Sequence, residues 1–225
     1  MNVAVKHPVA DLERRIPAGQ IKVGIVGMGY VGIPLMLAAT GKGLSVLGYD
    51  VDAARVQALN DGQSPLRHIS AAEIRQRRRE GTFEATSDGA RLSEPDVIVI
   101  CVPTPLTVMR EPDLGFIQRA GLVVASALRP GQLVILESTS YPGTTQEFLK
   151  PLLEVNGLRS GEDYLLAFSP EREDPGNLDF STSRIPKVVG GDGEMATRVT
   201  SAFYSRFLDK VVPVSTPDTA EAVKI

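Results

Sequence analysis

Three glycines in this 225-residue chain, Gly27, Gly29 and Gly32, have the spacing Gly-x-Gly-x-x-Gly. An apolar run precedes them and a helical pattern follows them, which is the setting in which such a loop binds a pyrophosphate. The first glycine permits a tight turn, the second lets a ligand approach the backbone, and the third lets the helix pack closely on the strand. N–H groups at the helix N-terminus would then bind the anion. The predicted cofactor contacts in this loop are the three glycines together with Tyr30 and Val31.

Asp50 ends the next apolar run, about 18 residues after Gly32, near the spacing expected of a ribose-binding acid. A carboxylate there accepts hydrogen bonds from both ribose hydroxyls and repels a 2′-phosphate, so it selects NAD over NADP. Arg55 nearby, also a predicted cofactor contact, weakens this inference slightly. FAD and other adenosine ligands bind at similar turns and remain alternatives to NAD. Another alternative is a purely structural turn, in which no ligand binds and Asp50 only caps the next helix.

The chain alternates short runs of Val, Ile and Leu with segments of helical period, a pattern typical of βαβ units that form a parallel sheet. Most of the apolar runs are apolar throughout, as expected where helices cover both faces of the sheet. We therefore predict an α/β fold with a doubly wound parallel sheet, a Rossmann-type NAD-binding domain. Its strands are expected at 21–26, 44–50, 83–87, 96–102, 133–137, 164–169, 186–189 and 211–214.

Two of the intervening helices have clear start and stop signals. Ser70 followed by Glu73 forms a predicted capping box, and Gly81 closes that helix. Asp113 is expected to cap a second helix that runs to about Leu128. Both helices fall between predicted strands, as a doubly wound fold requires.

The charge balance argues against nucleic acid and membrane partners. The chain has 24 Lys and Arg against 27 Asp and Glu, a net charge of −3, which gives no long-range attraction to either polyanion. Residues 1–20 have no apolar stretch of signal-peptide length, and we expect a flexible tail on a cytoplasmic protein. Cys101 is the single cysteine, so no internal disulfide is expected, and no Cys/His cluster has metal-ligand spacing. It follows an apolar run and is expected to be a buried strand residue.

Three further motifs follow predicted strands, at the sheet edge where open α/β folds bind ligands. They are Cys-Val-Pro-Thr-Pro at 101–105, Glu-Ser-Thr-Ser-Tyr-Pro-Gly-Thr at 137–144 and Phe-Ser-Pro-Glu-Arg-Glu-Asp-Pro-Gly-Asn at 168–177. Arg-Ile-Pro-Lys-Val-Val-Gly-Gly follows at 184–191. In this order behind the glycine loop, they resemble the UDP-glucose/GDP-mannose dehydrogenase family over about residues 20–225. The resemblance implies NAD-dependent oxidation of the C6 alcohol of a nucleotide sugar to a carboxylate, for cell-surface polysaccharide precursors.

The resemblance also implies three catalytic residues. Thr139 matches a threonine that contacts substrate and a catalytic water, Glu171 matches an acid implicated in general base chemistry, and Lys224 matches a lysine that stabilises negative charge on the substrate oxygen. These roles are chemically sensible, because a carboxylate can accept a proton and an ammonium can stabilise an alkoxide. Without the family pattern, the same residues would be a helix cap, an ion-pair partner and a solvated lysine. For cofactor binding the resemblance adds Val102, Pro103, Thr104 and again Thr139.

The same resemblance sets an expected domain layout. We place the NAD-binding domain at 21–215, and residues 216–225 are expected to begin a truncated interdomain helix. In the family that helix makes most of the dimer contact, so a homodimer is expected for a full-length form. The family's cysteine nucleophile and UDP-binding domain would lie beyond Ile225. The chain is therefore expected to be either the NAD-binding half of the enzyme or an NAD-binding fragment without turnover.

The substrate is expected to be a UDP-sugar. The UDP-glucose branch of the family typically has a second glutamate four positions after the one matched by Glu171, and this chain has Pro175 there. The turn at 141–144 and the stretch at 169–177 look more like the branch that acts on UDP-N-acetylhexosamines. UDP-N-acetylglucosamine is therefore favoured, with UDP-N-acetylmannosamine close behind and UDP-glucose as the alternative.

Overall fold

The computed structural model describes residues 8–110, 112–170 and 186–223. Within these residues it has one eight-stranded sheet of order β3-β2-β1-β4-β5-β6-β7-β8. The eight predicted strands and the doubly wound α/β fold are confirmed, and each strand begins and ends within two residues of the expected position. The strands are β1 (Lys22–Val26), β2 (Ser45–Tyr49), β3 (Phe83–Thr86), β4 (Val97–Ile100), β5 (Leu133–Leu136), β6 (Leu165–Phe168), β7 (Lys187–Gly191) and β8 (Val211–Val214).

Helices connect the strands and cover both faces of the sheet. Ser70 is the N-cap of its helix, as predicted, and its hydroxyl accepts a bond from Ala72 N at 3.2 Å. The prediction that Asp113 caps the next helix is wrong, because Leu114 is the N-cap and Asp113 Oδ1 instead accepts a bond from Gly115 N at 2.8 Å, one residue before the cap. The helices are α1 (Ala10–Arg15), α2 (Gly32–Gly41), α3 (Ala53–Asn60), α4 (Ala71–Arg79), α5 (Gly115–Ala127), α6 (Lys150–Leu153), α7 (Glu194–Tyr204) and α8 (Pro217–Ala222). A π-helical turn (Thr144–Leu149) leads into α6, and short 3-10 segments lie at Gly89–Ser93 and Glu154–Asn156.

The central strands are buried on both faces, which explains why their sequences are apolar throughout. In β4, Val97 and Val99 pack into one core, whereas Ile98 and Ile100 pack into the other. Successive side chains of a strand point to opposite faces, so a strand between two helical layers needs an apolar residue at every position. The helices thus cover the two faces of the sheet, and a ligand site is expected at its carboxyl edge.

One strand pair departs from the parallel arrangement. β7 runs antiparallel to β6, with Phe168 opposite Gly190, whereas every other described strand pair is parallel. The first residue of β7, Lys187, therefore lies at the edge where β4, β5 and β6 end. Strand direction leaves no trace in an apolar run, so the sequence predicted this strand but not its reversal.

The N-terminal segment is ordered where the structure describes it. Val9, Leu12 and Ile16 are buried in the main core, and Arg15 forms a salt bridge with Asp96 at 2.8 Å. The expectation of a flexible tail over 1–20 is therefore wrong for residues 8–20, and residues 1–7 lie outside the described part. The physical reason is the helical spacing of the three apolar residues, which gives α1 one face to bury.

Candidate nucleotide-binding site

The first and third glycines of the phosphate loop are required by packing. Gly27 has φ +98°, and a Cβ at this position would lie 2.7 Å from the carbonyl oxygen of Cys101. A Cβ on Gly32 would lie 2.0 Å from the carbonyl oxygen of Gly27. Only glycine fits at these two positions, because the loop folds back between the ends of β1 and β4 and the start of α2.

The surroundings of Gly29, unlike those of Gly27 and Gly32, leave space for a side chain. A Cβ there would have one described atom within 4 Å, Arg55 Nη1 at 4.0 Å, so the space beside this residue is open. The N-cap of α2 is Val31, and among the described residues no side chain caps that end. A helix N-terminus without a side-chain cap offers N–H groups and a positive dipole end to an anion. The open space at Gly29 is therefore where we expect the pyrophosphate to bind.

Asp50 joins this loop to the end of β2. Its side chain is buried, and its Oδ2 accepts hydrogen bonds from Met28 N at 2.8 Å and from Arg55 Nη1 at 3.1 Å. Its Oδ1 accepts one from Asp52 N at 3.0 Å. Asp52, not Asp50, caps α3, because its carboxylate accepts from the N–H groups of residues 54 and 55. The interpretation of Asp50 as a simple helix cap is therefore wrong.

A cleft of about 680 Å³ lies beside the loop at the carboxyl ends of β1, β2 and β4. Most of the predicted cofactor residues line it: Gly27, Gly29, Tyr30, Val31, Asp50, Arg55, Val102 and Pro103. The cleft lies where the strand order reverses between β1 and β4, the point at which doubly wound sheets bind nucleotides. The contacts of individual residues with the cofactor stay predictions.

One wall of the cleft comes from α5 and was missed by the sequence analysis. Phe116, Arg119, Ala120 and Val123 line it, and the Arg119 guanidinium lies 4.6 Å from the centre of the Phe116 ring. An apolar wall with a stacked guanidinium fits the face of a purine ring. These residues are spaced 3, 1 and 3 apart, which indicates that they share one face of a helix but not whether that face contacts the core or a ligand. The other lining residues that were not predicted are Val26, Tyr49, Val51, Asp52 and Cys101.

Thr104 and Thr139 lie on the loops that follow β4 and β5. These strands are paired, with Ile100 opposite Leu136, so both loops leave the sheet at the same edge as the cleft. Thr139 is exposed and lies between buried Ser138 and Ser140. Glu171 and Lys224 lie outside the described residues, and their catalytic roles stay predictions.

Cys101 is buried directly after β4, as expected, and its N–H donates to Val26 O at 2.8 Å. Over residues 8–110, 112–170 and 186–223, no group of three or more His, Cys, Asp or Glu side chains could hold a metal ion. In the same ranges, no helix is long and apolar enough to cross a membrane.

The phosphate loop, the buried acid at the end of β2 and the cleft at the strand reversal define a Rossmann-type dinucleotide-binding domain. Residues 21–208 match the UDP-glucose/GDP-mannose dehydrogenase family, NAD binding domain. The chain belongs to this family, and its cofactor is NAD. The lining residues fit that cofactor: the space beside Gly29 would hold the pyrophosphate, Asp50 would contact the ribose, and the α5 wall would face the adenine.

Several characterised proteins are similar to the chain. It is 33% identical over 209 residues to UDP-N-acetyl-D-mannosamine dehydrogenase of Pyrococcus horikoshii, covering 91% of this chain and 49% of that protein. It is 35% identical over 207 residues to UDP-N-acetyl-D-glucosamine 6-dehydrogenase of Pseudomonas aeruginosa, covering 91% and 48%. Among solved structures, NDP-N-acetyl-D-galactosaminuronic acid dehydrogenase from Methanosarcina mazei Go1 has a TM-score of 0.83 at 33% identity, covering 94% and 48%. The chain thus spans about half the length of these relatives.

Proposed function

We propose that the protein containing this chain oxidises the C6 hydroxyl of a UDP-sugar to a carboxylate, with NAD as the electron acceptor. The observation that carries this proposal is the position of Thr139. It is exposed on the loop after β5, at the sheet edge that also bears the NAD cleft. A group at this edge can hold a substrate next to a dinucleotide, because strands β4 and β5 are adjacent in the sheet.

The proposed roles of the chain's own residues follow from their chemistry. Thr139 has a hydroxyl that can hold the substrate and a water molecule. Glu171, which directly follows Pro170 in the sequence, would accept the proton of the sugar hydroxyl. Lys224, the residue after Val223, would stabilise the negative charge that develops on the oxygen. NAD, when bound, supplies the hydride acceptor for each of the two oxidation steps.

The favoured substrate is a UDP-N-acetylhexosamine, UDP-N-acetylglucosamine before UDP-N-acetylmannosamine. The names of the two curated relatives, each at least 33% identical, support this class, as does Pro175 at the position of the UDP-glucose branch's second glutamate. UDP-glucose is the alternative. The choice among the three sugars concerns the substituent and the configuration at C2, since all three present the same C6 alcohol.

A second candidate function is NAD binding without turnover by this chain alone. It is favoured by the fact that the chain spans about half the length of its relatives. On this reading the cleft, Asp50 and the α5 wall would bind NAD as they do in the whole enzyme. Oxidation would require residues that the other half of the relatives supplies.

One experiment separates these functions. Chain 1–225 and, if the gene encodes a longer chain, the full-length protein are each incubated with NAD and one of the three UDP-sugars, and the NADH formed per sugar consumed is measured by absorbance. NAD affinity is measured by calorimetry on the same preparations. Two NADH per UDP-N-acetylhexosamine from either protein supports the dehydrogenase. NAD binding by chain 1–225 without NADH supports the second function for this chain. No NADH from the full-length protein with any of the sugars would overturn the first proposal.

A further inference from the structure

The loop at 138–142 presents a single side chain of its Ser-Thr-Ser stretch to solvent. Ser138 and Ser140 are 4% and 8% exposed, whereas Thr139 between them is exposed. The loop joins the end of β5 to the π-helical turn that leads into α6. The position of the Thr139 hydroxyl therefore depends on how the two ends of this loop are held.

A buried carboxylate holds the first end. Glu137, the residue after β5, is 2% exposed and forms an ion pair with Lys187 of β7 through its Oε1. Its Oε2 accepts a hydrogen bond from the hydroxyl of Tyr204 of α7 at 2.5 Å. The Lys187 ammonium also lies 5.1 Å from the centre of the Tyr204 ring. The three side chains form a closed, buried group that connects β5 to β7 and α7.

The reversed direction of β7 makes this group possible. In a parallel β7, the first residue would lie at the opposite edge of the sheet, where β5 and β6 begin. Because β7 is antiparallel to β6, Lys187 lies just beyond the end of β6, at the same edge of the sheet as the residue after β5, and its side chain can reach Glu137. Buried Ser169 adds a link at this level, with its hydroxyl donating to Val188 O at 2.7 Å.

A second buried carboxylate holds the other end of the loop. Glu221 of α8 is fully buried, and its Oε2 accepts from Gly143 N at 2.8 Å. Its Oε1 accepts from Thr145 N at 2.9 Å and from Thr145 Oγ1 at 2.6 Å. Burial raises the pKa of Glu221, and these three donors oppose the rise. All three belong to the turn that follows Pro142, so Glu221 fixes the point at which the loop ends.

Two buried carboxylates are a poor means of stabilising a fold. A buried charge must be removed from water, and apolar residues of similar volume often give equal or greater stability. What charged, fully hydrogen-bonded groups supply is a defined geometry, since each donor and acceptor has one favourable position. In this chain the geometry that they define is that of the loop bearing Thr139.

We infer that Glu137 and Glu221 are positioning residues that hold the two ends of the loop at 138–142 and so place the Thr139 hydroxyl for reaction. The inference rests on the proposed function, in which Thr139 contacts the substrate. Both carboxylates are buried, so they act on the reaction through the loop. Neither lines the NAD cleft, so cofactor affinity should be independent of them.

The test uses Thr145→Val and Thr145→Ser in the full-length protein. Thr145→Val keeps the shape of the side chain and the N–H but removes the hydroxyl that donates to Glu221. Thr145→Ser keeps that hydroxyl. We expect kcat with the UDP-sugar to fall about 10- to 100-fold in Thr145→Val, because small misplacements of a substrate-contacting group have effects of this size. Thr145→Ser should keep most of the activity, and the Kd for NAD should be unchanged in both.

Tyr204→Phe tests the other end of the loop with the same measurements, since it removes only the hydroxyl that donates to Glu137. Loss of NAD binding by Thr145→Val would indicate that this variant misfolds. The kcat of Tyr204→Phe then tests the inference in its place. Wild-type kcat in both Thr145→Val and Tyr204→Phe would overturn the inference. An equal loss of kcat in Thr145→Val and Thr145→Ser would also overturn it, since packing rather than the hydrogen bond would then be the cause. If the wild-type protein binds NAD but oxidises no UDP-sugar, the proposed function fails and this inference fails with it.

Discussion

The backbone N–H of Met28 donates a hydrogen bond of 2.8 Å to the carboxylate of Asp50. This bond joins the phosphate loop to the end of the neighbouring strand. The acid that is expected to contact the ribose therefore also holds the loop that is expected to contact the pyrophosphate. Arg55 pairs with the same carboxylate at 3.1 Å, which places a positive charge beside the ribose position.

Replacing Asp50 should change both cofactor affinity and cofactor choice. We expect Asp50→Ala to raise the Kd for NAD about tenfold or more, because a hydrogen bond to a charged group contributes about 1.5–3 kcal/mol. Preference for NAD over NADP should relax, since the repulsion of a 2′-phosphate is lost and Arg55 is released. Calorimetric titration with both cofactors measures the ratio of the Kd for NADP to the Kd for NAD. Asp61→Asn, an exposed acid that accepts bonds from Gln57, is the control, and an unchanged ratio in Asp50→Ala would remove Asp50 from this role.

Substitutions of two phosphate-loop glycines should have different effects, one on stability and the other on NAD affinity. Gly32→Ala would place its Cβ 2.0 Å from a backbone oxygen, so we expect a loss of about 1–3 kcal/mol in the free energy of unfolding. Gly29→Ala meets no such contact, and its stability should change by less than about 0.5 kcal/mol. Its NAD affinity should nevertheless fall about tenfold or more, because the methyl group occupies the space left for the pyrophosphate. Thermal melts with and without NAD measure both effects; a destabilised Gly29→Ala would contradict this division.

The part of the fold that the sequence predicted is the part governed by local pattern. Val97 to Ile100 form a run without polar residues, which indicates a strand buried on both faces, and the structure contains it. The three glycines and Asp50 were predicted from their spacing together with the apolar runs and the helical pattern around them. The Glu137–Lys187 pair was not, since its members are far apart in the chain and meet only through the reversal of β7. The cleft wall at Phe116 and Arg119 was missed because core-facing and ligand-facing residues of α5 have the same helical spacing.

The N-terminal helix should contribute measurably to stability. Leu12 is 1% exposed, and Leu12→Ala should lower the free energy of unfolding by about 2–5 kcal/mol, as for other large-to-small changes in a core. Arg14→Ala, on the exposed face of the same helix, should change it by less than about 0.5 kcal/mol. Urea titration measures both variants. NAD affinity of folded Leu12→Ala should equal that of the wild type, and equal stability of the two variants would show that α1 does not pack in solution.

Acid should weaken one surface ion-pair network. Arg91, together with Lys22, lowers the pKa of Glu94 to about 2, and Arg91 also lowers the pKa of Glu84. Both pKa values are below the ordinary 4.5, so the stabilisation is complete above about pH 4.5 and is lost as the pH falls from there toward 2. Because the charged groups are partly exposed, the contribution of these ion pairs to the free energy of unfolding should be below about 1 kcal/mol.

Arg91→Met measures this network. The free energy of unfolding of the wild type should exceed that of Arg91→Met at pH 6, and the difference should shrink steadily between pH 5 and pH 2. Lys42→Met removes an exposed positive charge elsewhere on the surface and serves as the control. A difference that is constant with pH would show that the ion pairs are not formed in solution.

The Glu221 contact to the turn at 143–145 and the burial of Leu12 and Ile16 also determine where this domain can be cut. A gene shortened to the family match at 21–208 would delete α1, β8 and α8. It would uncover one end of the core and leave the amides of Gly143 and Thr145 without their acceptor. For domain exchange between related dehydrogenases, the segment to transfer as one piece therefore starts before Val9 and ends after Ala222.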